Sequence, residues 1–184
     1  MLLVFWILII VAVLLIFIFF GYFNKFVLLG NRINNSLSQI NVQLKRRADL
    51  IPNLIESVKG YMKHEKAAIK SVTDARKALV GAKGVEQKVE ANKQLESALK
   101  TIFAIAEGYP DLKANTNFLE LQRELTATED KIAYARQYYN DSILTYNNLC
   151  KTFPGLFFAN LYGKKAREYL HITESEKKNI NVKF

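Results

Sequence analysis

From Ile33 to Val80 the side chains that suit a packed face return in steps of three and four. They run Ile33, Leu37, Ile40, Leu44, Arg47, Ile51, Leu54, Val58, Tyr61, Glu65, Ile69, Val72, Ala75 and Leu79. That period places them on one side of a helix. At ~1.5 Å per residue the stretch would reach ~70 Å. It predicts a rod or long bundle rather than a compact enzyme domain. Two stripe positions, Arg47 and Glu65, are charged and need a partner or a place at the rim. Pro52 lacks a backbone donor and clashes with the carbonyl four residues back. A kink or a new segment near Asp49 is therefore expected.

Downstream, Gly81 to Gly84 punctuates the pattern, and Val85 to Ala106 is helical, with Val85, Val89, Leu95, Leu99 and Ile102 on one side. Gly108-Tyr-Pro-Asp111 reads as a turn. Asn117-Phe-Leu-Glu120 has capping-box spacing and should open the next helix. Its stripe runs from Phe118 through Leu125, Ile132, Ile143 and Tyr146 to Phe153, and Pro154-Gly155 ends it. The tail, Leu156 to Leu170, is aromatic and basic. It suits either an interfacial helix on a membrane or a fourth helix capping the bundle. Counting helices favours the second, with the tail starting at the end far from the membrane. Ile180-Asn-Val-Lys-Phe184 resembles the short closing segment of a known protein family.

The N-terminus changes the picture. Leu2 to Phe20 is unbroken apolar sequence, ~28 Å at helical rise, close to the hydrocarbon core of a bilayer. Lys25 can snorkel, and Trp6, Tyr22 and Phe23 suit interfacial belts. No positive n-region or small-residue cleavage site marks a signal peptide. The expected organisation is a transmembrane anchor over residues 1–29 and a helical bundle domain over 30–184. The fold class is all-α: a single transmembrane helix followed by an elongated antiparallel bundle of long helices. Lys25, Arg32, Lys45, Arg46 and Arg47 all follow the span. The positive-inside rule then puts the N-terminus outside and the bundle in the cytoplasm.

Composition narrows the chemistry. The net charge is +9, and residues 1–24 hold none of the charged side chains, so a basic domain stands beside a bilayer and can lean on anionic lipid. Nucleic acid is not an expected partner, because the lysines are interspersed with acids and no reading motif accompanies them. The single cysteine, Cys150, excludes an internal disulfide and a multi-cysteine metal site. His64-Glu65 begins like a zinc-protease motif but has no second histidine in register, and His171 is the only other histidine. No cofactor, metal or catalytic group is expected.

Two sets of residues remain. Glu129 follows the stripe residue Thr128 and forms a polar set with Arg136 and Asn140 along one helix. Arg46 or Arg47 could meet it across the bundle, with Glu65 the other charge on a packed face. These residues are either a buried network that fixes helix register or surface pairs worth a few tenths of a kcal/mol. Tyr138, Tyr146 and Asn147, with Lys45, form a candidate interaction surface.

The residues also carry a resemblance. Asn41-Val-Gln-Leu-Lys-Arg-Arg-Ala-Asp-Leu-Ile-Pro-Asn-Leu-Ile-Glu-Ser-Val-Lys-Gly-Tyr, running on to His64-Glu65, resembles the signature of the bacterial LemA family. Tyr109-Pro110-Asp111-Leu112-Lys113-Ala114, Thr128-Glu129-Asp130, Ala135-Arg136-Gln137-Tyr138-Tyr139-Asn140 and Tyr146-Asn147 follow in the family's order. Leu37 stands where the family often has Trp, Asn41 where it has Asp, and Phe23-Asn24 where it has Tyr-Asn. The resemblance implies a helical protein of the bacterial inner membrane, and says little of activity. The expected function is a non-catalytic, membrane-anchored scaffold or assembly protein that self-associates. The alternative is an adaptor or regulator of a membrane-bound partner such as a metalloprotease.

Overall fold

The computed structural model describes residues 1–170, so the closing segment and His171 lie outside the described residues. Six helices follow one another: α1 (Leu2–Lys59), α2 (Lys66–Gly81), α3 (Val85–Ala106), α4 (Pro110–Lys113), α5 (Thr116–Lys151) and α6 (Gly155–Leu161). Among the described residues there is no strand. The chain is all-α, with a long apolar N-terminal helix followed by helices that form a bundle. It divides into two compact units, one of Met1–Ser36 with Gln137–Tyr169, the other built on Leu37–Arg136.

In the second unit four helix segments alternate in direction. Lys88 and Asn92 of α3 bond Asn41 and Arg47 of α1, in that order, so α1 and α3 run the same way. Arg76 of α2 reaches Ala48, and Asn115, just before α5, reaches Tyr61. The α1 stripe packs as its spacing predicts through Ile40, Leu44, Ile51, Leu54 and Val58, all buried. Val72 and Leu79 of α2, Leu95 and Ile102 of α3, and Leu125 and Ile132 of α5 are buried in the same unit.

The stripe fails at Tyr61. The single helix expected across Ile33–Val80 is instead two, with a turn over residues 60–65. Gly60 costs about 1 kcal/mol relative to Ala inside a helix, and the polar run Lys63 to Lys66 gives a continued helix nothing to bury. Tyr61 and Met62 both donate backbone bonds to the Val58 carbonyl, closing α1. Met62 is buried and Tyr61 exposed, a shift of one residue from the heptad register.

Pro52 starts no new segment, and α1 runs on through it to Lys59. A proline leaves the carbonyl four residues back without its helical donor. That carbonyl belongs to Ala48, and the Arg76 Nε–H of α2 donates to it at 2.8 Å. A side chain from the neighbouring helix thus replaces the missing backbone bond. The start of α5 also differs from expectation. Its cap is Asn115, whose side chain accepts from the Phe118 N–H at 3.1 Å, two residues before the expected Asn117. The Tyr-Pro-Asp turn folds as the single turn α4, with Pro110 at its first position, where no donor is needed.

The first unit pairs the N-terminal part of α1 with the end of α5 and with α6. Phe26, Leu29, Ile33, Ile143, Tyr146, Cys150 and Ala159 form its core. The tail does not cap the far end of the bundle, as the helix count had suggested. It packs on α1 where the apolar stretch ends. Phe158 stacks on Tyr22 with ring centroids 4.5 Å apart, and the Tyr162 hydroxyl donates to the Phe19 carbonyl at 2.6 Å. The turn at 60–65 adds one reversal to the helix count. Two glycines shape this docking. A Cβ on Gly155 would lie 2.2 Å from the Leu149 carbonyl oxygen. Gly163, at φ +64°, lets the Lys164 N–H return to the Ala159 carbonyl at 2.8 Å, closing α6.

Candidate functional site

The stripe on α1 carries Arg47 inward. Its side chain is only 3% exposed, an expensive place for a permanent cation. Three helices supply its surroundings. Its Nη1 donates to Asn92 Oδ1 of α3 at 3.0 Å and pairs with the Glu129 carboxylate of α5. Glu96, one turn beyond Asn92 on α3, lies beside Glu129 and accepts from Lys100 Nζ at 2.5 Å. Arg47, Glu96, Lys100 and Glu129 line a cavity of about 240 Å³ with Leu99, Phe103, Leu125 and Thr126. The Arg47 Nε–H finds no acceptor among the described residues, and the cavity has room for water at ~30 Å³ per molecule.

The two carboxyls are pushed apart. Burial raises Glu129 above the ordinary glutamate value; Arg47 pulls it down, but the Glu96 charge adds to the rise. Burial also pushes Glu96 upward, and is outweighed by hydrogen bonds from Lys100 and Glu129 and by the nearby cations, so it lies below the ordinary value. The pair carries the counter-charge to Arg47 between them. The arrangement joins side chains of α1, α3 and α5.

The other residues singled out by sequence fall elsewhere. Arg46 pairs with Glu124 at 3.4 Å, both largely exposed, and so belongs to the surface rather than to a buried network. Glu65 stands just before α2 and accepts from the Tyr109 hydroxyl at 3.3 Å, apart from Arg47. Arg136 is half-buried in the bundle unit, while Asn140 belongs to the other unit. Lys45 is exposed and pairs with Asp49 at 2.6 Å. Tyr138 accepts from Arg32 Nε at 2.8 Å.

Tyr146 and Asn147 are each 4% exposed, so neither presents an interaction surface. They sit on the helix face turned to the core. Asn147 clamps the tail, its amide donating to the Arg167 carbonyl and its oxygen accepting from the Arg167 N–H, both at 2.8 Å. Asn92, Glu96 and Lys100 were missed in the sequence. Their one signal was an i,i+4 acid–base pair directly beside the stripe residues Leu95 and Leu99. Among the described residues, no group of three His, Cys, Asp or Glu side chains could hold a metal ion.

Comparison with known proteins places this geometry in a family. The model of the LemA family matches residues 36–184. The chain belongs to the LemA family. Protein LemA of Metamycoplasma hominis is 28% identical over 138 residues, covering 74% of this chain and 63% of the relative. Magnetosome protein MamQ of Magnetospirillum gryphiswaldense is 27% identical over 175 residues, 81% of this chain and 64% of the relative. Magnetosome protein MamQ 2 of Paramagnetospirillum magneticum is 23% identical over 173 residues, 80% of this chain and 64% of the relative. The chain thus spans less than two thirds of the length of these relatives. The Arg47–Glu129 pair lies inside the matched region, and the apolar start of α1 lies before it.

Proposed function

We propose that this LemA-family chain is a membrane-anchored, non-catalytic scaffold that assembles with copies of itself. The observation that carries the reading is α1. It is long and apolar enough at its start to cross a membrane, and from Ile40 to Val58 the same helix supplies core residues of the bundle. From Leu2 to Phe20 its large apolar side chains are exposed, a surface for lipid and for lateral contact. The paired carboxyls support register rather than turnover, because their partners are side chains of the bundle's own helices. Charge bias supports an outside N-terminus and a cytoplasmic bundle. Two differently tagged full-length copies expressed together test the reading. Capture of one should recover the other from detergent-solubilised membranes, and its failure at native expression would overturn self-assembly.

A second reading, an adaptor for a membrane-bound partner, has its own observation. An open groove of about 760 Å³ on the α1–α2 hairpin is lined by Lys59, Lys63, Lys66, Lys70 and Lys77 over Met62 and Ile69. Asp74 pairs with Lys70 and Lys77. Lys63 and Lys66 make no ion pair with a described residue. This groove suits an acidic segment of another protein. Lys63→Glu with Lys66→Glu should then release a co-purifying partner and leave self-capture intact.

A further inference from the structure

We propose that α6 and the turn before it form a membrane-interface collar, seated among lipid headgroups beside the anchor. The inference rests on reading the start of α1 as a span, and concerns what the tail of the same unit does there. One face of α6 is spent on the protein: Ala159 is buried, and Phe158 stacks on Tyr22. Just beyond α6, Tyr162 packs edge-on against Phe19 and Phe23. The opposite face carries Leu156, Phe157 and Leu161, exposed by 45%, 62% and 56%. Phe153, before the helix, is 89% exposed. Phe157 and Leu161 are four apart, so they lie one above the other on a single side of the helix.

Position along α1 identifies what covers this face. Phe19, Tyr22 and Phe23 lie near the end of the charge-free stretch, which Lys25 closes. A helix held against them sits at the depth where hydrocarbon gives way to headgroups. Water would leave those large apolar side chains uncovered, whereas the acyl boundary, ~5–10 Å deep for an interfacial helix, accommodates them. The flanking charges agree in sign. Lys151 precedes the turn, and Lys164 and Lys165 follow α6, placing cations where lipid phosphates lie. Tyrosine and lysine rim an apolar centre, the distribution that suits a bilayer interface.

The test uses Trp6, the single tryptophan of the chain. The full-length protein is placed in vesicles of phosphatidylcholine and phosphatidylglycerol, with lipids brominated near the headgroup end of the acyl chain. Native Trp6 reports the span. Trp6→Phe with Phe157→Trp reports the collar, and Trp6→Phe with Leu161→Trp repeats the measurement at a second exposed site. The collar predicts blue-shifted emission from both reporters, severalfold quenching by the brominated lipid and protection from aqueous iodide. Water-like emission quenched by iodide, with Trp6 still quenched by lipid, would overturn the collar and leave the span standing. Shielding from both quenchers would overturn it in favour of a protein cover, such as a second copy. Loss of lipid quenching at Trp6 itself would remove the span, and the collar with it.

Discussion

Arg76→Met tests how α1 survives its internal proline. In the native chain the Ala48 carbonyl, left without a helical donor by Pro52, accepts from Arg76 Nε at 2.8 Å. Ala48 is 3% exposed, and its bond to Arg76 is part-buried beside an open cavity of about 310 Å³, so water replaces the lost donor only in part. Losing the donor to a buried carbonyl costs about 1–3 kcal/mol, and methionine keeps much of the aliphatic packing. We expect a loss of about 2 kcal/mol, or about 4–8 °C in the melting temperature of a chain this size. In a Pro52→Ala background the residue 52 N–H can serve Ala48 directly. There, Arg76→Met should cost under about 0.5 kcal/mol, a coupling of more than about 1 kcal/mol in the double-mutant cycle. Thermal unfolding of the full chain in mild detergent, followed by circular dichroism, reads all four proteins. Equal cost of Arg76→Met in both backgrounds would show that the arginine does not act through the proline.

The polar site gives a second cycle. Arg47→Met removes the counter-charge of the carboxyl pair and orphans Asn92, and should cost about 2–3 kcal/mol by thermal melts at pH 7. Glu129→Gln removes the carboxylate paired with Arg47 and should reduce the cost of Arg47→Met; additive losses would contradict the shared site. The pH profile has a stated sign. Glu129 lies above its ordinary value of 4.5, so its contribution is present below that pH and lost as pH rises through the raised value. Glu96 lies below 4.5, so its contribution is present above that pH and lost as pH falls through the depressed value. Melts from pH 3 to 8 should show this pair's support greatest around 4.5, with Glu129→Gln flattening the alkaline decline. Gly155→Ala forces a Cβ to 2.2 Å from the Leu149 carbonyl oxygen and should cost about 1–3 kcal/mol, with increased protease cleavage after the tail's basic residues as a second reading. Cys150 is buried, and burial raises its thiol above the ordinary value despite Tyr146 and nearby cations. A maleimide should label it slowly in the folded chain and rapidly after denaturation; rapid native labelling would contradict the packing of the first unit.

Helix periodicity was legible wherever an apolar stripe decided the packing. Leu44 to Val58, Leu95 to Ile102 and Phe118 to Ile143 lie where spacing placed them. What escaped was decided by single residues acting across space. The turn at Gly60 required weighing one poor helix former against a heptad that ran on through Tyr61 and Glu65. Pro52 reads as a break until Arg76, distant in sequence, is seen to replace the lost donor. Arg47 and Glu129 could be singled out because a charge beside an apolar stripe demands a partner. Glu96 and Lys100 could not, since i,i+4 acid–base pairs are ordinary on helix surfaces. Tyr146 lies where the stripe spacing places it, buried; Asn147, beside it, suits an interface by its amide, and here that amide holds the tail from inside.

The most direct measurement is the native mass of the full-length chain, extracted from its own membrane in mild detergent. The scaffold reading predicts a uniform assembly of this chain alone, several protomers in size. A monomer, or a fixed complex with a different membrane protein, would contradict it and move the function to the lysine groove on the α1–α2 hairpin.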